Sequence, residues 1–99
     1  MKHYLLLKFN IGLSISENAN TARELLGRLV GSVEGFLSVR VYENCIDRED
    51  NFDLMIEMDL AGKEALYAYL EHPYHVEFVR HMKNKVAKKI SFDREAICK

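Results

Sequence analysis

Residues 52–60, Phe-Asp-Leu-Met-Ile-Glu-Met-Asp-Leu, carry the cleanest alternation in the chain. A period of two is the period of a pleated strand. Phe52, Leu54, Ile56, Met58 and Leu60 therefore share one face, and Asp53, Met55, Glu57 and Asp59 share the other. Such a strand must sit in a sheet with one dry side, which other elements have to cover.

The neighbouring segments meet that demand. Residues 3–9 form a short apolar run without helical period and read as a strand, with His3, Leu5, Leu7 and Phe9 on one face and Tyr4, Leu6 and Lys8 on the other. Residues 36–43 alternate Leu37, Val39 and Val41 against Ser38, Arg40 and Tyr42, and residues 89–93 read as a last strand. Polar loops fall at 10–14 and 44–51. A helix is expected over 17–33, with Ala19, Ala22, Leu25, Leu26, Leu29, Val30 and Val33 as its apolar stripe. Ser14 and Glu17 have capping-box spacing, Ser16 is a second candidate cap, and Glu24 and Arg28 make an exposed pair. Gly27 and Gly31 each cost about 1 kcal/mol relative to Ala in a helix. They are expected to permit close packing, with Gly35 as the helix stop.

A second helical stretch covers 61–71, breaks at Pro73 and resumes to about 86. Its inner side is expected at Val76, Val79, Met82, Lys83 and Val86, with Lys85, Lys88 and Lys89 favourable for the helix dipole near the C-terminus. The order strand, helix, strand, strand, helix pair, strand is an α+β, ferredoxin-like split βαββαβ arrangement. Its four-stranded antiparallel sheet has helices on one side. Ninety-nine residues suffice for one domain, 1–99.

The sheet face away from the helices would hold Tyr4, Leu6, Lys8, Ser38, Arg40, Tyr42, Asp53, Met55 and Glu57. It is too apolar for simple exposure and too charged for a dry core. Two such faces packed together would bury the charges as pairs, so a two-fold homodimer is expected. Fourteen basic and fifteen acidic side chains nearly cancel, leaving no field to draw in nucleic acid or anionic lipid. The three-Leu core near the start is too short for a signal or a membrane span. With Cys45 and Cys98 the only cysteines, a cytoplasmic protein with free thiols and a loose C-terminal tail is expected.

Chemistry concentrates in residues 64–79. Tyr69, His72 and His75 lie within seven positions, where Pro73 turns the chain. His75 falls in the first turn of a helix, where the positive dipole end favours neutral imidazole, a form able to accept a proton near pH 7. Tyr69 can donate to a developing oxyanion. His3 would reach the same place from the first strand. A plainer reading has His75 hydrogen-bonding Tyr69 and a backbone carbonyl, orienting the break. His72 reads as a cap. His72 and His75 at i,i+3 have no third ligand at suitable spacing, so no metal is expected. His81 falls on an outer, solvated face, and Tyr67, Tyr69, Tyr74 and Phe78 suit packing better than a cofactor box.

The segments 2–9, 51–57 and 65–69, followed by His72-Pro-Tyr-His75, together resemble the stress-responsive dimeric α/β-barrel (Dabb) family. The likeness covers nearly the whole chain, and Tyr-x-x-His-Pro-x-His is its most specific part. The resemblance implies a homodimer whose two sheets close into one barrel. Carried over from the plant polyketide cyclase of the family that forms olivetolic acid, it also implies catalytic roles for His75, Tyr69 and His3. A further histidine of that cyclase falls on Leu54 here, which departs from its pattern. Related dimeric barrels bind haem or oxidise aromatic rings, but no cofactor-ligand pattern is present, and cofactor-free chemistry is expected.

Two functions follow. One is a barrel that binds an apolar or aromatic small molecule, with a cyclase, isomerase or lyase step based on His75 and Tyr69. The other is a non-catalytic stress or interaction protein that uses the fold to dimerise. A hollow of about 300 Å³ or more opening onto His75 distinguishes them.

Overall fold

The computed structural model describes residues 1–95. The chain runs β1 (Lys2–Phe9), α1 (Ile15–Gly27), β2 (Phe36–Glu43), β3 (Leu54–Leu60), α2 (Lys63–Glu71), α3 (Pro73–Met82) and β4 (Val86–Arg94). The strands form one antiparallel sheet in the order β2-β3-β1-β4, the ferredoxin-like α+β arrangement expected from the strand and helix order. In β3 the alternation is realised residue by residue: Leu54, Ile56, Met58 and Leu60 are buried under the helices, and Met55, Glu57 and Asp59 lie on the opposite face. In β1, His3, Leu5, Leu7 and Phe9 take the same dry side. α1 contributes Ala19, Ala22, Leu25 and Leu26 to the core. Its N-terminus is closed by Ser14, whose hydroxyl accepts from the Glu17 amide at 3.2 Å, and Arg28 bonds Glu24 at 2.8 Å as the spacing predicts. Ser16 is no cap: its hydroxyl donates to Glu43 on β2.

α1 ends at Gly27, six residues short of Val33, because the chain turns through three-residue hydrogen bonds and Gly31 adopts a φ of 87° outside the helical region. Leu29 and Val33 still reach the core from this turn, whereas Val30 is exposed. Neither Gly27 nor Gly31 makes a close approach; Gly35 does, with a φ of 84° and space for a Cβ only 3.0 Å from the Ala65 Cβ. It opens β2 against α2 rather than stopping α1.

In β2 the register slips between Phe36 and Ser38, so Phe36 enters the core and Leu37 is turned out, 57% exposed. Val39 and Val41 keep the inner face, opposite Met58 and Ile56. α3 ends at Met82, and β4 begins four residues later at Val86, tied by the Asn10 amide to the Lys85 carbonyl at 2.8 Å. Lys88 and Lys89 thus lie on a strand, not beside a helix end. The buried side of α3 is Phe78 and Met82, while Val76 and Val79 are exposed. The larger aromatic payload of Phe78 decides the phase of the helix. His81, expected to be solvated, is half-buried in the groove between α1 and α3, which lowers its pKa. Cys98 and the tail expected to be loose lie outside the described residues.

Candidate active site

The break between α2 and α3 builds the site. Pro73 disfavours helical backbone at the residue before it, and His72 is extended at φ −69°, ψ 141°. The His72 side chain accepts from the Tyr74 amide at 3.1 Å, and its carbonyl accepts from the His75 and Val76 amides. His72 is therefore the cap of α3. The turn brings the last part of α2 over the first turn of α3, so that the Tyr69 and His75 rings meet edge to face with centroids 4.5 Å apart.

His75 is oriented by its own backbone neighbourhood. Its Nδ1 lies 2.9 Å from the Leu70 carbonyl oxygen. A carbonyl only accepts, so Nδ1 carries the proton and Nε2 is left with a free lone pair. Burial lowers the pKa of this imidazole, the Leu70 carbonyl opposes the shift, and the Lys89 and His3 charges add to it. The ring is thus held in its neutral form at pH 7. The plainer sequence reading is half realised: the carbonyl contact is there, but His75 meets Tyr69 through ring packing rather than a hydrogen bond.

Tyr69 is 1% exposed, and burial pushes its phenol pKa well above the ordinary value, keeping it a donor. Among the described residues its hydroxyl has no hydrogen-bond partner, yet no side-chain oxygen or nitrogen is sealed off without one. The hydroxyl therefore opens onto the adjacent cavity.

His3 completes the group. Its ring centroid is 6.1 Å from that of Tyr69, and its Nδ1 sits 2.5 Å from the Asp93 carboxylate on β4. Antiparallel pairing of β1 with β4 sets His3 opposite Asp93. The carboxylate accepts from Nδ1–H, which fixes the orientation of the ring. Asp93 escaped the sequence reading because its role depends on register; an acid on the inward side of an otherwise alternating strand was the available signal. Leu54, where a further histidine stands in the cyclase pattern, is a core residue here.

His3, Tyr69 and His75 all line one cavity of ≈ 460 Å³ between β1, β4 and the α2–α3 pair. Leu5, Leu7, Phe78 and Met82 supply much of its apolar wall. The arrangement offers a buried donor beside a proton-accepting nitrogen of His75 and a second, carboxylate-held imidazole in a largely apolar space, parts that proton transfer at an acidic carbon or hydroxyl needs.

The sequence model of the family described as Stress responsive A/B Barrel Domain matches residues 1–96. The chain belongs to that family. No curated protein matches it. Among solved structures, a dimeric ferredoxin-like protein of unknown function from Bacteroides fragilis is similar at 18% identity and TM-score 0.79, over 95% of this chain and 93% of that one. A family member with a ferredoxin-like fold from Mesorhizobium loti is similar at 20% identity and TM-score 0.75, over 98% and 96%. A hydroxynitrile lyase from Passiflora edulis is similar at 13% identity and TM-score 0.73, over 99% and 95%. Identities this low establish the shared fold of the family. Among the described residues, no helix is long and apolar enough to cross a membrane.

Proposed function

We propose that this family member is a homodimer that binds an apolar or aromatic small molecule between sheet and helices. There it carries out a cofactor-free proton-transfer step of the cyclase, isomerase or lyase kind. His75 Nε2 takes the proton, and Tyr69 donates to the oxyanion that develops. His3, held by Asp93, lies beside the phenol to orient the substrate. The observation that carries this reading is the Tyr69 hydroxyl, buried, without a protein partner and facing a ≈ 460 Å³ cavity shared with both imidazoles. Its apolar wall with a few convergent polar rings is the character of a small-molecule site. The lyase among the structural neighbours shows that this fold hosts an enzyme.

The dimer is supported by the outer sheet face. β4 adds Ile90 and Phe92 to it, opposite Leu6 and Tyr4, and both are more than half exposed in the isolated chain. Lys2 and Asp59 already pair at 3.4 Å there, and Arg40 stands opposite Glu57 in register. Neighbours described as dimeric are consistent with two such faces closing on each other. The exposed free thiol of Cys45 supports a reducing, cytoplasmic setting.

A thermal-shift and crystal-soaking screen with phenolic and polyketide-like acids tests the proposal. Binding that is seen in the cavity and is altered by His75→Ala supports it. Binding elsewhere, or a dimer with an empty cavity under every compound, favours the non-catalytic reading.

A further inference from the structure

The cavity has a chemical polarity that the acid–base group does not use. Lys83, at the C-terminal end of α3, and Lys89, on β4, both line it, together with Lys88, and no aspartate or glutamate does. The whole chain carries a net charge of −1, so this local excess of cations is not the average of the molecule. Lys2, Lys8 and Lys85 are engaged with protein oxygens. Among the described residues, the ammonium groups of Lys83, Lys88 and Lys89 have no hydrogen-bond or ion-pair partner.

The two elements that border the cavity set the same spacing. Along α3, Lys83 follows His75 by eight residues, about 12 Å of helical rise. Along β4, Lys89 precedes Asp93 by four residues, about 13 Å of strand, and register places Lys89 opposite Leu7 as Asp93 is opposite His3. Lys83, Lys88 and Lys89 therefore share one wall with Tyr69 and the imidazoles, with Leu5, Phe78 and Met82 among them.

We infer that the cavity selects an anionic ligand. It takes an apolar body whose carboxylate, or an equivalent anion, is met by Lys83 and Lys89 within the space that Tyr69 and His75 also line. This rests on the reading of the cavity as a ligand site and narrows it: a neutral nitrile or alcohol of the same shape leaves both ammonium groups unanswered.

The test is isothermal titration calorimetry of the full chain at low salt with 4-phenylbutyrate and its neutral amide, 4-phenylbutyramide. Each is titrated into the parent, a Lys83→Gln/Lys89→Gln variant and Val79→Trp, a bulky change at the cavity wall, with folding checked by circular dichroism. The parent should bind the carboxylate about tenfold more tightly than the amide, the scale of two partly solvated ion pairs, and added salt should narrow the gap. The double glutamine variant should bring the two within about twofold, and Val79→Trp should weaken both. Equal affinity in the parent, or a preference kept in the double variant, overturns the anion inference and leaves the cavity reading intact. If neither compound binds, or if Val79→Trp changes nothing, the cavity reading falls and the inference falls with it.

Discussion

Tyr69 separates stability from chemistry at a single atom. A buried hydroxyl that bonds no protein group contributes little to folding, and its removal leaves no partner stranded. Tyr69→Phe should therefore change the unfolding free energy by less than about 0.5 kcal/mol in urea titrations. If Tyr69 stabilises an oxyanion, the same change should lower turnover by about 10²–10³-fold. A large loss of stability would instead mean that the phenol has a structural partner. His75 gives a pH signature. Its pKa is lowered mainly by burial, so the neutral base persists below the ordinary imidazole value of about 6.5. The acidic limb of a pH–rate profile should then lie below that value. Linkage has a definite sign: in this window the unfolded chain binds more protons than the folded one, so stability falls as pH drops through it and levels off below the folded pKa. His81 acts in the same direction. His75→Gln should shallow the fall in acid denaturation curves without abolishing it.

Two short stretches of backbone decide where the elements meet. His72 closes α3 with its imidazole, and His72→Ala should cost about 1 kcal/mol, the usual scale of a lost cap. Because the cap also sets the turn, the variant should shift the NMR resonances of Tyr69 and His75 although it touches neither ring's hydrogen bonds. Gly35 and Gly27 make an opposed pair. Gly35 has a positive φ and no room for a Cβ beside Ala65 and Ala61, whereas Gly27 ends α1 with nothing within 4 Å of the added atom. Gly35→Ala should destabilise by more than about 1 kcal/mol, and Gly27→Ala should be neutral or stabilise by up to about 1 kcal/mol. Thermal unfolding of the two variants checks both signs together.

Taken whole, the molecule has one face that the isolated chain leaves unfinished. Phe92 is 60% exposed beside Tyr4, their ring centroids 6.4 Å apart, on a sheet that also carries Arg40, Glu57, Lys2 and Asp59. Phe92→Glu should shift the protein to monomer in sedimentation velocity at micromolar concentration, with the far-ultraviolet spectrum retained. Glu57→Leu should weaken association for another reason. It leaves Arg40 without its cross-strand carboxylate inside the proposed interface, where an unpaired charge costs roughly 3–5 kcal/mol. A dimer that tolerates both changes would place the interface elsewhere.

How much of this was readable from the residues alone follows from the range of the forces involved. Alternation and helical spacing are local, so the sheet, the order of elements, the Ser14 cap and the dry sides of β1 and β3 were legible. So was the meeting of Tyr69 and His75 across the turn at Pro73, with His72 as the cap, since all lie within seven positions. The end of α1, the outward turn of Leu37 and the choice of Phe78 over Val76 and Val79 were not, because each is settled by packing against a distant element rather than by spacing. Asp93 stands ninety residues from His3 and meets it only through strand register. The cavity itself, and the gathering of lysines on its wall, exist only because α3 and β4 border the same space. A sequence can name the groups that carry protons; the side on which they find a shared, largely apolar hollow is decided when the layers close.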